Sequence, residues 1–470
     1  MAVVPDPAER PAPMGRTALA ASLEQAHERA HAEARDQAGD QPDDRAGAPG
    51  SADGRAAGPA APPETPPDAV TIAMELLSPD GRANPYPLYA AAHRLGPVSG
   101  IGGGWFVVAG YDAVNQVLRR TDFGVTGAQI TRERREEHAS LGLLAQSILE
   151  TDPPEHTRVR SLIGSVFTQR RVMALEPMIA AAVDALLDRL AESGADGEPV
   201  DFMAEFAFQL PVTVICDLLG VPAADRQRFR TLAAGLTTAL EFMSDPSGLA
   251  PADAAATELA GYFSALIADR RTGSRTDDDL VGALLAARDA ADGRLSESEL
   301  LANLTLLLVA GFETTTDLLG NGLGVLFDHP DTACWLRSPD GDVAAFVEEV
   351  LRYESPVQLT SRVALTDGLE VAGIPVPAGS RLILLLGAAN RDPSRYQAPD
   401  AFDPSRTTIK PLSFGVGAHV CLGNGLARLE AAVAFPRLLS RFPALTAAAA
   451  PTRRDRAVLR GYQTFPVLLG

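Results

Sequence analysis

The sequence predicts a mainly α-helical protein with small β-sheets, and three observations lead to this class. The segment Ser296-Glu297-Ser298-Glu299 is a capping box that opens a long, mostly apolar run ending near His329-Pro330, which indicates a long central helix. A glycine-rich loop that ends at residue 423 leads into an Ala-, Leu-, Arg- and Glu-rich run up to residue 435, which is typical of a helix. Between them, residues 369–386 combine short apolar runs with glycine- and proline-containing turns, which predicts a small sheet.

Composition limits the class of protein. The chain has 470 residues and a hydrophobic fraction of 46%, enough for a sizeable core, and its net charge of −19 argues against nucleic acid as a partner. Three cysteines cannot form a useful disulfide framework, so we expect a cytoplasmic protein. The most apolar stretch, Leu304–Phe312, is far shorter than the ~20 residues that a membrane span requires, so we expect no membrane association. Lys410 is the only lysine, a bias that indicates a GC-rich genome.

The chain divides into a tail and one domain. Residues 1–67 are rich in Ala and Pro and poor in branched and aromatic side chains, so we predict a disordered N-terminal tail. Residues 68–470 form the predicted catalytic domain, with a short strand at Trp105–Val108 and a mainly helical course up to Tyr353. Its longer loops are predicted at residues 124–139, 243–251 and 271–278.

The glycine-rich loop, Phe414-Gly415-Val416-Gly417-Ala418-His419-Val420-Cys421-Leu422-Gly423, is suited to hold a thiolate against a metal. Its glycines allow tight turns and a close approach to a flat ligand, and Cys421 precedes a helix whose positive end favours the charged sulfur. A lone cysteine is more often a small buried hydrophobe. However, the loop resembles the haem-ligand loop of the cytochrome P-450 superfamily. The resemblance implies the triangular P-450 fold with a long central helix and a Cys-ligand loop, haem b as cofactor, Cys421 as the iron ligand, and Phe414 and Gly415 as haem contacts.

Within the central helix, Ala310-Gly311-Phe312-Glu313-Thr314 places polar residues directly after an apolar run. A helix that surfaces at its polar end would explain this pattern without a function. The segment nevertheless resembles the oxygen-activating acid–alcohol pair of the superfamily. The resemblance implies that Glu313 relays protons, that Thr314 positions them at the bound oxygen, and that Ala310 and Gly311 leave room for haem and O2.

Haem carries two propionates that need cations. His156 and Arg160 are four residues apart on a predicted helix that starts with an Asp152 cap, and therefore share one face. Arg362 precedes an apolar strand, and His419 lies two residues before Cys421. Each of these four is most often a surface residue when considered alone. Their positions resemble the propionate clamp of the superfamily, which implies that they bind the cofactor.

Glu349 and Arg352 are three residues apart, a spacing that in an exposed helix contributes only about 0.3–0.5 kcal/mol. Downstream, Phe402-Asp403-Pro404-Ser405-Arg406 resembles the superfamily segment that supplies a second arginine to this glutamate. The resemblance implies a buried Arg–Glu–Arg network of Glu349, Arg352 and Arg406 with a structural role.

The resemblance also implies a reaction. We expect a monooxygenase that inserts one oxygen atom of O2 into a mostly hydrophobic small molecule by hydroxylation or epoxidation, with natural-product tailoring favoured by the GC-rich signature. Electrons would come from NAD(P)H through a ferredoxin reductase and a ferredoxin, and the protein would be a monomer. The predicted substrate contacts are Val357, Leu359, Gln463 and Thr464, with the segments 129–149 and 236–242. Alternatives are oxidative coupling or other non-hydroxylating haem-thiolate chemistry, and a non-enzymatic haem sensor or scaffold.

Overall fold

The structure is a computed structural model that describes residues 67–125, 132–165, 167–241, 246–272, 280–290 and 295–470. Residues 1–66, and with them the predicted tail, lie outside the described residues. The α-helices are Ala69–Leu77, Pro79–Ala83, Tyr86–Leu95, Tyr111–Arg119, Arg132–Glu137, Ala139–Leu144, Glu155–Gly164, Gln169–Met173, Glu176–Ser193, Gln209–Leu219, Arg226–Leu236, Ala250–Thr272, Leu280–Ala290, Glu297–Asp328, Pro330–Arg337, Val343–Tyr353, Leu386–Ala389 and Asn424–Arg441.

The strands are short and form small sheets. They are β1 Val98–Gly102, β2 Trp105–Val108, β3 Phe123–Gly124, β4 Val200–Asp201, β5 Leu359–Ala364, β6 Leu369–Val371, β7 Ile374–Val376, β8 Arg381–Leu385, β9 Thr446–Ala447, β10 Thr452–Arg453, β11 Tyr462–Thr464 and β12 Pro466–Leu468. The largest sheet has the order β1-β2-β8-β5-β3, with β2 and β8 parallel and the other pairs antiparallel. Alternate residues of its strands enter two separate apolar clusters, because successive side chains point to opposite faces.

The central helix, Glu297–Asp328, organises the helical core. Its capping box forms as predicted: the Ser296 side chain accepts a hydrogen bond from the Glu299 backbone N–H, and Glu299 accepts one from the Ser296 N–H. Most of its side chains are buried in a large cluster that also contains the C-terminal helix, Asn424–Arg441. Even so, neither this helix nor any other among the described residues has an apolar window long enough to cross a membrane.

Several predicted boundaries need correction. A helix, Arg132–Glu137, lies inside the segment predicted as a loop, and the helix after Cys421 begins at Asn424 and continues past Pro436 to Arg441. That continuation is stabilised by Leu438 and Leu439, which pack into the core after the proline. Asp152 does not cap the helix Glu155–Gly164; its side chain instead accepts a hydrogen bond from the Val125 N–H, 2.9 Å away.

Candidate active site

The loop before the C-terminal helix turns sharply at two glycines. Gly415 and Gly417 have φ values of 62° and 78°, which side chains with a Cβ rarely adopt. A Cβ on Gly417 would also lie 2.3 Å from the Leu118 carbonyl oxygen, so this glycine permits close packing against a neighbouring helix end. The turn is closed by the Cys421 N–H, which donates to the Phe414 carbonyl over 2.9 Å. The loop therefore fixes the position of the cysteine.

Cys421 is exposed, although many protein atoms lie around its thiol. Burial raises the pKa of its thiol, while the N–H groups of Gly423 and Asn424 and the cations Arg160 and Arg428 lower it. Arg428 also lies over the Phe414 ring, 4.5 Å from its centroid. Backbone donors and two cations around the sulfur favour a thiolate once a metal replaces the proton.

One short stretch of the central helix, near Ala310, is exposed. Ala310 is exposed and Thr314 is half-buried, although residues 302–309 before them are buried. The Thr314 hydroxyl donates to the Ala310 carbonyl over 2.8 Å, a bond of the kind that can loosen the local helix ladder. Gly311 differs from its neighbour, because a Cβ there would meet Ile215 at 3.3 Å. Its small size thus serves contact with the helix Gln209–Leu219, and the idea that it also makes room for the cofactor stays a prediction.

Glu313 lies on a different face of this helix and is 1% exposed. Its carboxylate forms a buried ion pair with Arg454, whose guanidinium also pairs with Asp317, and Arg456 Nη1 lies 3.8 Å from Glu313 Oε2. Sequence reasoning missed these partners. The spacing of Asp317, four residues after Glu313, was a readable signal for a shared helix face, whereas nothing local identifies Arg454 as their partner.

A basic cluster adjoins Cys421. The rings of His156 and His419 lie 4.1 Å apart, Arg160 donates to the Val420 carbonyl, and Arg362 donates to the Ser361 carbonyl over 2.7 Å. Burial lowers the pKa of His419 to about 3, with further lowering by Arg362 and His156, and burial lowers the pKa of Arg362 to about 10. His156 is also shifted to a lower pKa by burial and by Arg160, and its Nε2 is buried without a partner among the described residues. The carboxylates of Asp152 and Glu150 counteract these shifts only in part.

The three predicted network residues meet in the interior. Glu349 and Arg352 are both fully buried, with Arg352 Nη2 2.7 Å from Glu349 Oε1, and Arg406 Nε lies 3.1 Å from the same oxygen. The Asp403 N–H adds a further hydrogen bond of 2.8 Å to Glu349. Arg352 in turn donates to the carbonyls of Asn390, Pro399 and Ala401, so the network holds residues 390–406 against the helix Val343–Tyr353.

The predicted substrate contacts do not form one group. Leu359 is buried in an apolar cluster with Tyr89 and Ile383, and its role as a substrate contact stays a prediction. Alternation along β5 places Thr360 and Arg362 on the opposite face. Val357 is half-buried and bridges to Leu459. Gln463 is exposed, and the Thr464 hydroxyl lies 2.6 Å from that of Thr452.

Comparison with known proteins decides the family. A family model for Cytochrome P450 matches residues 63–338 and 343–460. The chain is 38% identical over 398 residues to the cytochrome P450 monooxygenase PikC of Streptomyces venezuelae, covering 83% of this chain and 92% of that protein. It is 41% identical over 387 residues to cytochrome P450 107B1 of Saccharopolyspora erythraea, covering 80% and 92%. The chain belongs to the cytochrome P450 family.

A solved relative extends this result to the fold. The crystal structure of P450BioI, in complex with an acyl carrier protein ligated to hexadec-9Z-enoic acid, superposes with a TM-score of 0.78 at 33% identity, covering 83% of this chain and 99% of that one. The predicted triangular cytochrome P450 fold, mainly α with small sheets, is thereby confirmed. The protein is a cytochrome P450 monooxygenase, and its family uses haem iron.

The residues of this cytochrome P450 fit a haem. A thiol is exposed beside the basic cluster, the cluster has a buried imidazole nitrogen without a protein partner, and the exposed Ala310 leaves one helix face uncovered. Two propionates would form charge-assisted hydrogen bonds with this cluster, and a flat ring would cover the apolar surface. Cys421 would hold the iron, and His156, Arg160, Arg362 and His419 would hold the propionates.

Replacing Arg160 by alanine is expected to weaken haem retention roughly tenfold or more, because a lost charge-assisted hydrogen bond costs roughly 1–3 kcal/mol. The measurement is the rate of haem transfer from the enzyme to an excess of an apo-globin. Arg158→Ala is the matched control, since Arg158 is on the same helix but pairs with Glu299 of the central helix. Equal haem loss from both variants would contradict the clamp.

Proposed function

We propose that this cytochrome P450 binds haem b through Cys421 and inserts one oxygen atom of O2 into a mostly hydrophobic small molecule, by hydroxylation or epoxidation. The observation that carries the proposal is the convergence of an exposed cysteine, held by a fixed glycine turn, with a basic cluster in which an imidazole nitrogen is buried without a hydrogen-bond partner among the described residues. When bound, the haem supplies a thiolate-ligated iron that activates O2 and cleaves its O–O bond. The remaining roles belong to side chains of this chain.

The central helix would supply protons. The Thr314 hydroxyl borders the open stretch at Ala310 and can accept a proton from one neighbour while donating its own. Glu313, one residue earlier, is buried beside cations and can hold or release a proton at Oε1, which has no partner among the described residues. The pair would therefore deliver protons at the oxygen site and would not bind substrate.

Natural-product tailoring is the proposed setting. Relatives include a vitamin D(3) 25-hydroxylase at 38% identity and a 6-deoxyerythronolide B hydroxylase at 34% identity, both named as hydroxylases. We propose that the enzyme acts as a cytoplasmic monomer and takes electrons from NAD(P)H through a ferredoxin reductase and a ferredoxin. A panel of macrolides, sterols and fatty acids can be tested for the spin-state shift that substrate binding causes. Turnover of a binder under 18O2 should then add one labelled oxygen atom to the product.

A second reaction class has support from one comparison. A cytochrome P450 described as acting in C–S bond formation, CxnD, superposes with a TM-score of 0.75 at 33% identity. Oxidative coupling would remove two hydrogen atoms from the substrate and add no oxygen. A product without label under 18O2, with a mass lower than the substrate by two hydrogens, would favour this alternative over monooxygenation.

Thr314→Ala is expected to leave the spin-state shift and iron reduction nearly unchanged, because neither requires a proton at the oxygen site. Product formed per NAD(P)H should fall several-fold and hydrogen peroxide should rise, because Thr314 no longer directs protons to the oxygen site. Both are measured together with reductant consumption. Thr315→Ala serves as the control, because the Thr315 hydroxyl is buried and donates to the Gly311 carbonyl. Wild-type coupling in Thr314→Ala would refute the proton role of Thr314.

A further inference from the structure

One face of the central helix carries a buried polar row that the proposed function uses only in part. Glu313, Asp317 and Asn321 follow at intervals of four residues and are each at most 1% exposed. Residues at this spacing are neighbours on one helix face, about 5–6 Å apart at Cβ. Burying two carboxylates is costly unless they are paired or used, so the row needs an explanation.

The partner of this row is the segment 452–464 near the C-terminus. Arg454 donates to both Glu313 Oε2 and Asp317 Oδ1, and its side chain is 6% exposed. The backbone lies so close to Asp317 that a Cβ on Gly461 would come within 1.7 Å of Asp317 Oδ1. One guanidinium is thus shared by two carboxylates that are held at fixed positions.

The sharing leaves both acids incompletely bonded. Glu313 Oε1, Asp317 Oδ2 and Arg454 Nε are buried without a hydrogen-bond partner among the described residues. Buried polar atoms of this kind normally bond to water or carry a proton. The mutual repulsion of two buried carboxylates that share the Arg454 guanidinium also favours retention of a proton by the pair, although Arg453 and Arg456 act in the opposite direction.

The same row reaches towards the surface. Arg453 Nη1 lies 3.3 Å from Asn321 Oδ1, and the Arg453 side chain is 25% exposed. The end of the row opposite Glu313 therefore lies beside an arginine that reaches solvent. The charged groups that face Asp317 are Glu313 on its own helix and Arg453, Arg454 and Arg456 on the C-terminal segment.

We propose that Asp317 is a second relay carboxyl, which reloads Glu313 with protons, and that Arg454 is the positioning residue that holds the two acids in register. The proposal rests on the proposed function, because it takes Glu313 as the acid that supplies the oxygen site. A proton leaves Asp317 Oδ2 and passes through water to Glu313 Oε1 after Glu313 has released its own, and Asp317 then takes up a proton from solvent. The net charge of the pair is restored in each cycle, and no electron moves. In support, burial raises the pKa of Asp317 to about 7, with Glu313 raising it further and Arg454 lowering it, so both protonation states are accessible near neutral pH.

The test compares Asp317→Asn with wild type and with Asp328→Asn, the same change at an exposed position of the same helix. Product per NAD(P)H and the solvent isotope effect on product formation are followed from pH 5.5 to 9 on the holoenzyme. Wild type and Asp328→Asn should lose coupling with an inflection near pH 7 as Asp317 deprotonates. Asp317→Asn should lack that inflection, with coupling reduced several-fold and the solvent isotope effect increased, while the substrate-induced spin-state shift is unchanged.

A second readout does not depend on turnover. The folded state holds a proton on Asp317 between pH 4 and 7 that the unfolded state has released, so stability should fall with rising pH in that window. The urea midpoint of wild type should therefore fall relative to that of Asp317→Asn from pH 4 to 7. If Asp317→Asn does not fold, Arg454→Lys is measured in its place. A lysine ammonium cannot bind both carboxylates as the guanidinium does, so this variant should move the inflection in coupling to higher pH.

The outcomes separate the two proposals. Wild-type enzyme that forms no oxygenated product with any ligand that shifts the spin state contradicts the proposed function. If wild-type turnover is coupled, and Asp317→Asn has the same pH profile and solvent isotope effect as wild type, the relay is overturned. The same result in Arg454→Lys overturns it when Asp317→Asn does not fold. If Asp317 has only a structural role, Asp317→Asn should lower the urea midpoint equally at all pH values and leave the pH profile of coupling unchanged.

Discussion

Cys421→Ser is expected to abolish the strongly red-shifted Soret band that a reduced thiolate-ligated haem shows with carbon monoxide. A thiolate donates electron density to iron, and a serine hydroxyl at neutral pH does not replace it. The expectation rests on the fixed position of Cys421, on its exposure, and on the two cations near its sulfur, which partly offset the burial that raises the pKa of its thiol. The measurement is the difference spectrum of the reduced protein with and without carbon monoxide.

The chain offers matched controls for this change. Cys334 is exposed on the helix Pro330–Arg337, and Cys216 is buried, where burial raises the pKa of its thiol to about 12. Neither has the glycine turn or the cations of Cys421, so Cys334→Ser and Cys216→Ser should both keep the band. A band that persists in Cys421→Ser would disprove the ligand assignment.

Glu349→Ala is expected to have the largest effect on stability. Removal of this carboxylate leaves the fully buried Arg352 without its counter-ion and removes a partner of Arg406 and of the Asp403 N–H. Breaking a buried ion pair by deleting one member costs about 3–5 kcal/mol. The denaturant midpoint should therefore fall sharply, measured on the holoenzyme by loss of helical circular dichroism.

Glu348→Ala is the control, because Glu348 is adjacent on the same helix and pairs with Arg428 at a partly exposed position. Such pairs contribute about 0–1 kcal/mol, so its midpoint should stay close to wild type. If Glu349→Ala proves as mild as Glu348→Ala, the network does not stabilise the fold. If Glu349→Ala does not accumulate, Glu349→Gln keeps the shape and should show the same direction of change.

Much of the site was predictable because its signals are local. The capping box at Ser296 and the positive φ values of Gly415 and Gly417 depend on residues only a few positions apart. The pairing of Glu349 with Arg352 follows from helix geometry alone. The surroundings of each β5 residue depend on pairing with distant strands: Leu359 packs into an apolar cluster, and its neighbours Thr360 and Arg362 share the other face of β5.

The sequence by itself determined the class of this protein, because the ligand loop and the acid–alcohol segment each lie within about ten residues and carry their chemistry in residue type and order. Only the tertiary structure decided which groups surround that chemistry. Arg454 pairs with Glu313 across 141 positions, and the ring of His419 in the ligand loop contacts that of His156 on the distant helix Glu155–Gly164. Contacts of this range depend on how helices and loops pack, and a guanidinium that will be buried has the same local sequence signature as one that stays in water.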